Sequence, residues 1–413
     1  MDDKQRILKK GYFWTGLASI AAGASSVLLL MVIRRVGGID VGASFSIAVA
    51  TANLLINIGH LNIYGYQVSD IDEEYSFSDY FKLRLCSCLT MIVIAILFSV
   101  IRGYELEKGI MIVGYCLYRA FFAFFDLFQG RYQQRNRVDL SSQFAFFRIT
   151  IPDFVLALTF ILLRNFSLSI IVTIISLCVF SLIYVKINEP LFFELEYNNN
   201  CRFLGLLKKG FPVFYWAFTN AFILNSSKFA VDYYMNDKAR LYYAILILPA
   251  TTIHMIIGFV YRPLLTDLAI LWDSKKVKDL NGRITYVVLL ALLITLLILL
   301  LAKPVLIPLL TFLYDVQDLG AYLYSFIVLL IAGAFQAVNT LFAYLITIIR
   351  AQRNFMWIYT ISMGMALFVP TVLVKKFLFN GATVSYLILS LLQMLLLIVT
   401  FYASERKAIN NCE

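Results

Sequence analysis

Charged residues make up only 15% of this 413-residue chain, against 61% hydrophobic. That shortage excludes a water-soluble globule, because the apolar residues outnumber the interior positions such a domain offers. The bilayer must be the solvent. Histidine is nearly absent, with His60 and His254 alone, and the six cysteines (Cys86, Cys88, Cys116, Cys178, Cys201, Cys412) form no CxxC pair. Zinc needs such ligands gathered at short spacing, and a stapled scaffold needs dense, paired cysteines, so neither is expected. The cysteines read as small core residues, and the histidines as interhelical hydrogen-bonding groups. There is no GxxxxGK[ST] loop to cradle phosphates and no soluble stretch large enough for a nucleotide domain, which excludes self-driven ATP hydrolysis. No cofactor and no metal are expected. The acidic run Asp70-Ile71-Asp72-Glu73-Glu74 has no companion ligand cluster and reads as a solvated turn.

Long apolar runs, by contrast, fill the chain. Twelve windows of membrane-spanning length fall near 11–33, 41–63, 82–101, 109–129, 141–163, 167–187, 210–231, 241–265, 284–302, 320–349, 355–374 and 381–403. The first is a full span with no small-residue cleavage site behind it, so it is expected to remain as a helix. With the N-terminus inside, 21 Lys and Arg fall in cytosolic segments and 10 in outer ones. The positive-inside rule therefore predicts cytosolic termini, and it makes much of the net charge of +10 topological. Nucleic acid is not an expected partner.

The longest connection, 188–209, suggests a cytosolic linker between a first six-helix lobe, 1–187, and a second, 210–413. Both lobes open alike, with Lys9-Lys10-Gly11-Tyr12-Phe13-Trp14 in one and Lys208-Lys209-Gly210-Phe211 in the other. An all-α membrane protein of two parallel six-helix repeats is a transporter plan.

Basic residues sit inside four of the runs: Arg119, Arg148, Lys228 and Arg262. Each would cost roughly 2.5–3.5 kcal/mol at the bilayer centre, so they should face protein or water. Asn53, Asn57 and His60 share one helical face at i, i+4 and i+7 and could line a polar cavity, as could Asn225 beside Lys228. Asp232 is placed to pair with Lys228 at i+4. Asp126 and Asp153 offer carboxylates to Arg119 and Arg148, and buried charges need such partners. Arg34 and Arg35, followed by Gly37-Gly38, end the first helix where they could accept an anion leaving the cavity. Pro152, Pro249 and Pro370 fall inside spans as candidate kinks or hinges.

The opening Lys10-Gly11-Tyr12-Phe13-Trp14, the passage Arg35-Val36-Gly37-Gly38 into Gly42-Ala43-Ser44-Phe45-Ser46, and Phe211-Pro212, Lys228 and Tyr243-Ala244 carry a resemblance. The chain resembles the polysaccharide-biosynthesis flippases, the O-antigen translocase (Wzx-like) branch of the superfamily that also holds multidrug extruders and peptidoglycan-precursor flippases. It departs from that pattern at Asn236-Asp237-Lys238-Ala239-Arg240, where a Gly-rich turn is usual. The resemblance implies a MATE/flippase-like fold in a bacterial inner membrane, with a cavity lined by the first, second, seventh and eighth helices. It implies an undecaprenyl-diphosphate-linked oligosaccharide as cargo, membrane lipids as surroundings, and a polysaccharide polymerase and chain-length regulator as partners. Cationic side chains suit a diphosphate, and Asn, Ser and Thr suit sugar hydroxyls. A cation-coupled drug extruder of the same superfamily is the alternative; its cargo would favour an acidic cavity. A membrane polymerase or glycosyltransferase would need sizeable outer loops, which are missing, so the chain does not read as an enzyme.

Overall fold

A computed structural model describes residues 3–188, 203–261, 264–351 and 354–410, and among these it is all-helical. The elements are α1 (Asp3–His60), α2 (Tyr64–Ser69), α3 (Phe77–Ile101), α4 (Leu106–Gln134), α5 (Val138–Leu163), α6 (Phe166–Ile187), α7 (Phe203–Tyr234), α8 (Asp237–Tyr261), α9 (Leu265–Asp273), α10 (Val277–Leu301), α11 (Ile307–Tyr314), α12 (Leu323–Ile348) and α13 (Phe355–Asn410). Nine stretches of the described residues are long and apolar enough to cross a bilayer. The protein is therefore a multi-pass membrane protein. α7 is long enough but falls outside the nine, because Asn220, Asn225, Ser226, Ser227 and Lys228 dilute its apolar content.

Two of the nine stretches are double. Drawn straight, α1's 58 residues would reach about 87 Å, nearly three hydrocarbon thicknesses. It breaks at Gly38, whose φ of 89° and ψ of −173° lie where L side chains are strained. The Gly37-Gly38 pair is thus a one-residue corner between two helical arms and not a cap followed by a loop. α13 breaks in the same way at Leu378, φ 51° and ψ −127°, a costly conformation for a residue with a Cβ. These two breaks, and not the prolines, carry the non-helical dihedrals. Pro152, Pro212, Pro249 and Pro370 all sit inside continuous helices. In a membrane, neighbouring helices can re-satisfy the backbone groups that a proline frees.

The chain divides into two compact units, 1–221 and 222–413. In the first, α4 is central, packed by α1, α3, α5 and α6, and it buries residues from Met111 to Gln134. Leu206 of α7 completes an apolar cluster with Leu61, Ile63, Tyr75, Tyr80, Leu83 and Leu127. The expected linker 188–209 lies largely outside the described residues, and from Phe203 onward it is already α7. Cys88 and Cys116 are buried as expected, but Cys86 faces outward because it is offset from the buried face of α3.

In the second unit α12 is central, packed by α8, α10 and α13. Gly333 is the point of closest approach: a Cβ there would stand 2.6 Å from the carbonyl oxygen of Ala250 on α8. Gly333→Ala should therefore cost about 1–3 kcal/mol by overpacking the crossing. Thermal unfolding of the detergent-purified variant measures this, and an unchanged transition would mean that the helices can simply move apart.

Candidate functional site

Four helices of the first unit converge on one carboxylate. Arg119, Phe122, Asp126, Gln129 and Gln133 recur at spacings of three and four along α4, so they form one stripe. Asp126 sits in its middle. From α5, Arg148 Nη2 donates to Asp126 Oδ1 at 3.1 Å and to Gln129 Oε1 at 2.7 Å, and its Nη1 donates to the Phe122 carbonyl at 3.0 Å. The same guanidinium lies 4.1 Å from the centroid of the Phe122 ring. At the end of α1, His60 Nδ1 is 3.3 Å from Asp126 Oδ2. From α3, Arg84 Nη2 is 3.8 Å from that oxygen, and its Nη1 donates to the Gly59 carbonyl at 2.9 Å.

Arg84 and Arg148 are 2% and 3% exposed, so both charges are out of water. Two guanidiniums share one carboxylate, which leaves a positive excess inside a low-dielectric interior. Arg148, a candidate cavity cation for which Asp126 was an expected carboxylate partner, pairs with Asp126 within the cluster. Arg84 was not expected here at all: a count of loop charges assigns it to the cytosol. The signal for it lies on α3, where Arg84 falls within a buried stripe with Tyr80, Ser87, Cys88, Met91, Ala95 and Ser99.

The remaining expected residues divide. Asn53 is exposed, whereas Asn57 is half-buried and its amide donates to the Asn53 and Leu54 carbonyls of its own helix. The shared face thus leads from an exposed amide to His60 in the cluster. Arg119 is half-buried, 5.0 Å from the Phe122 ring, and it flanks Asp153 together with Ser25 and Tyr118. Arg34 is half-buried and Arg35 exposed, just before the Gly38 corner. Arg262 and the side chain of His254 lie outside the described residues.

The acidic run is more than a solvated turn. Asp70 accepts from the backbone N–H of Glu74 and Tyr75 and from the Tyr80 hydroxyl at 2.8–3.1 Å. Glu73 lies 2.7 Å from Arg131 and 3.0 Å from Arg135, and Glu74 lies 2.7 Å from Lys209. That contact holds the Lys209 ammonium above the usual lysine range. The run is a clamp on the ends of α4 and α7, because basic residues of those helices are within reach of its carboxylates.

In the second unit much of the described interior is held by neutral polar side chains. Gln336 donates to the Ser390 hydroxyl at 2.9 Å, Asn339 to the Ser390 carbonyl at 3.2 Å, and Ser325 to Asn380 Oδ1 at 2.7 Å. Ser227 and Ser385 hydroxyls are 2.9 Å apart. One turn of α7 holds Asn225, buried, and Lys228, half-buried. The expected pairing of Lys228 with Asp232 does not form. Asp232, 3% exposed, is 3.4 Å from Arg240 Nε, and Arg240 also donates to the Asp232 carbonyl at 2.8 Å. The turn Asn236–Arg240 closes this contact: Asn236 Oδ1 caps the Ala239 N–H at 3.0 Å, which sends Arg240 back over α7. Lys228 is left without a hydrogen bond or ion pair among the described residues.

No protein-family model and no curated protein matches the chain. Solved structures do. The lipid II flippase MurJ, in an inward closed conformation, superposes with a TM-score of 0.65 at 15% identity over 95% of this chain and 90% of its own. A multidrug resistance MATE family transporter of the MOP superfamily, in its inward-facing conformation, gives 0.62 at 12% identity over 95% and 94%. A MATE transporter of Vibrio cholerae gives 0.61 at 12% identity over 98% and 99%. At such identities the likeness establishes the fold, and the fold is that of the MATE and MOP-superfamily transporters.

Proposed function

We propose that this protein is a transporter, and specifically a flippase that moves an undecaprenyl-diphosphate-linked oligosaccharide repeat unit of O-antigen or capsule across the bacterial inner membrane by alternating access, with both termini cytosolic. The observation that carries this reading is the excess of interior cations. Lys228 has no anionic partner among the described residues, and two guanidiniums share Asp126. An ammonium held at membrane depth without a carboxylate is arranged for an anion that arrives with the cargo, and a diphosphate is such an anion. Asn225 beside Lys228, and Asn53 and Asn57 on α1, supply amides for sugar hydroxyls. Arg119, Arg34 and Arg35 supply further cations, while Arg148 and His60 keep α4 and α5 in register with α1.

An extruder of organic cations would need a carboxylate to spare. Asp126 is engaged by two arginines and a histidine, which leaves Asp153, without an ion pair among the described residues, as the carboxylate such an extruder would have to use. The fold shared with the lipid II flippase MurJ supports lipid-linked cargo. A polymerase and a chain-length regulator would act on the flipped unit.

Chromosomal deletion, followed by mass analysis of surface polysaccharide and of polyprenyl-diphosphate intermediates, tests the reading. Loss of polymer with complete, unpolymerised units trapped at the inner leaflet is expected. Truncated units would point to a glycosyltransferase instead, exported single units to a polymerase, and an unchanged envelope with raised drug sensitivity to an extruder.

A further inference from the structure

We propose that a slot between α1 and α5 holds a polyprenyl segment of the lipid-linked cargo, an inference that rests on the flippase reading above. The first arm of α1 and α5 run side by side and touch at both ends. At one end a Cβ on Gly11 would stand 2.9 Å from the Val138 side chain, and the Thr15 and Ser142 hydroxyls are 2.7 Å apart. At the other end a Cβ on Gly37 would stand 3.0 Å from the Phe160 ring. Between these pins a half-open groove of 350 Å³ runs along the seam of the two helices.

Leu29, Met31, Val32 and Ile149 make the groove apolar, and small residues give it its depth. Ala21, Ala24 and Ser25 line it from α1, and Thr150, Asp153 and Ala157 from α5. Small residues facing each other in a membrane ordinarily let two helices close up. Here they leave a groove open to the lipid side. Leu28 and Phe154 flank the mouth at 52% and 67% exposure, so the slot is open to an apolar entrant. Between the slot and the Gly37–Phe160 contact α1 carries Arg34 and Arg35, and past that contact come Arg164 at the end of α5 and Asp40 on α1. An apolar slot leading to a cationic end is complementary to a hydrocarbon chain with an anionic head. A methyl-branched chain suits a slot whose two walls are both widened by alanine.

Photo-crosslinking tests the occupant directly. A p-benzoylphenylalanine placed at Phe154 in living cells should give adducts enriched at least tenfold in polyprenyl-diphosphate glycolipid over the same residue at Leu293, an exposed position on α10. Adducts with the phospholipid profile of the control position would overturn the proposal. Ala24→Phe and Ala157→Phe fill the slot and should each lower translocated lipid-linked sugar at least tenfold with an unchanged unfolding temperature. Full translocation by these variants sinks the slot and leaves the flippase reading standing. If the deletion strain accumulates no lipid-linked unit, the flippase reading itself fails.

Discussion

Replacing Asp126 by Ala should destabilise the protein by about 3–5 kcal/mol, the cost of stranding buried charges whose partner has been removed. Arg148 and Arg84 are almost wholly buried, and neither can turn to water. Without the carboxylate, Arg148 keeps Gln129 and the Phe122 carbonyl, and Arg84 keeps the Gly59 carbonyl, but no negative charge remains beside them. A double-mutant cycle separates this from loss of packing. Asp126→Leu with Arg148→Leu removes a charge of each sign and fills the space with apolar groups, which is often neutral for buried pairs. The double variant should therefore be markedly more stable than the sum of the singles predicts. Denaturation in detergent, followed by tryptophan fluorescence, measures both. Strict additivity would show that the cluster is not an ion network, and a single variant within about 1 kcal/mol of the parent would show that the interior is wetter than its exposure suggests.

The same cluster shows where the sequence could be read and where it could not. Most of the twelve expected spans were legible from length and hydropathy, which mark nine long apolar stretches among the described residues. The two double stretches, broken at Gly38 and Leu378, and the polar α7 accommodate the expected number. The character of the breaks was less legible: Gly37-Gly38 announced a boundary, but a corner of one residue and a cap with a loop share that signature. Pairing was only partly legible: Asp126 was offered to Arg148 and pairs with it, but its other partners were hidden for a physical reason. Asp126 and Arg119 are neighbours along α4, yet Asp126 is satisfied from α1, α3 and α5, because which helices abut is set by packing and not by spacing within one helix. Asp232 repeats the lesson. Its i−4 neighbour Lys228 was the local choice, and Arg240 took it because the Asn236 cap folds α8 back toward α7. Arg84 was hidden by arithmetic, since a charge near a span end counts as topology unless its helical face is followed inward.

On the proposed flippase reading, Lys228→Ala should abolish most transport while leaving the protein as stable as before, or more so. The two halves of that expectation have one cause. An ammonium with no partner among the described residues contributes no ion pair to folding, so its removal strands no carboxylate; Asp232 keeps Arg240. If the cargo's phosphate is its partner, the loss is that of a charge-assisted hydrogen bond of about 1.5–3 kcal/mol, or roughly tenfold to 150-fold in the transport step. Lys228→Arg retains the charge and should restore a substantial part. Lys228→Glu repels the anion and should be inactive even at high expression. Transport is read as surface polymer and trapped lipid-linked unit in a deletion strain carrying each variant, and stability as the unfolding midpoint of the purified protein. A stable, fully active Lys228→Ala would remove this residue from the binding site. An unstable one would mean that the ammonium supports the fold, and the cation for the cargo would then have to be sought elsewhere, with Arg119 the first candidate.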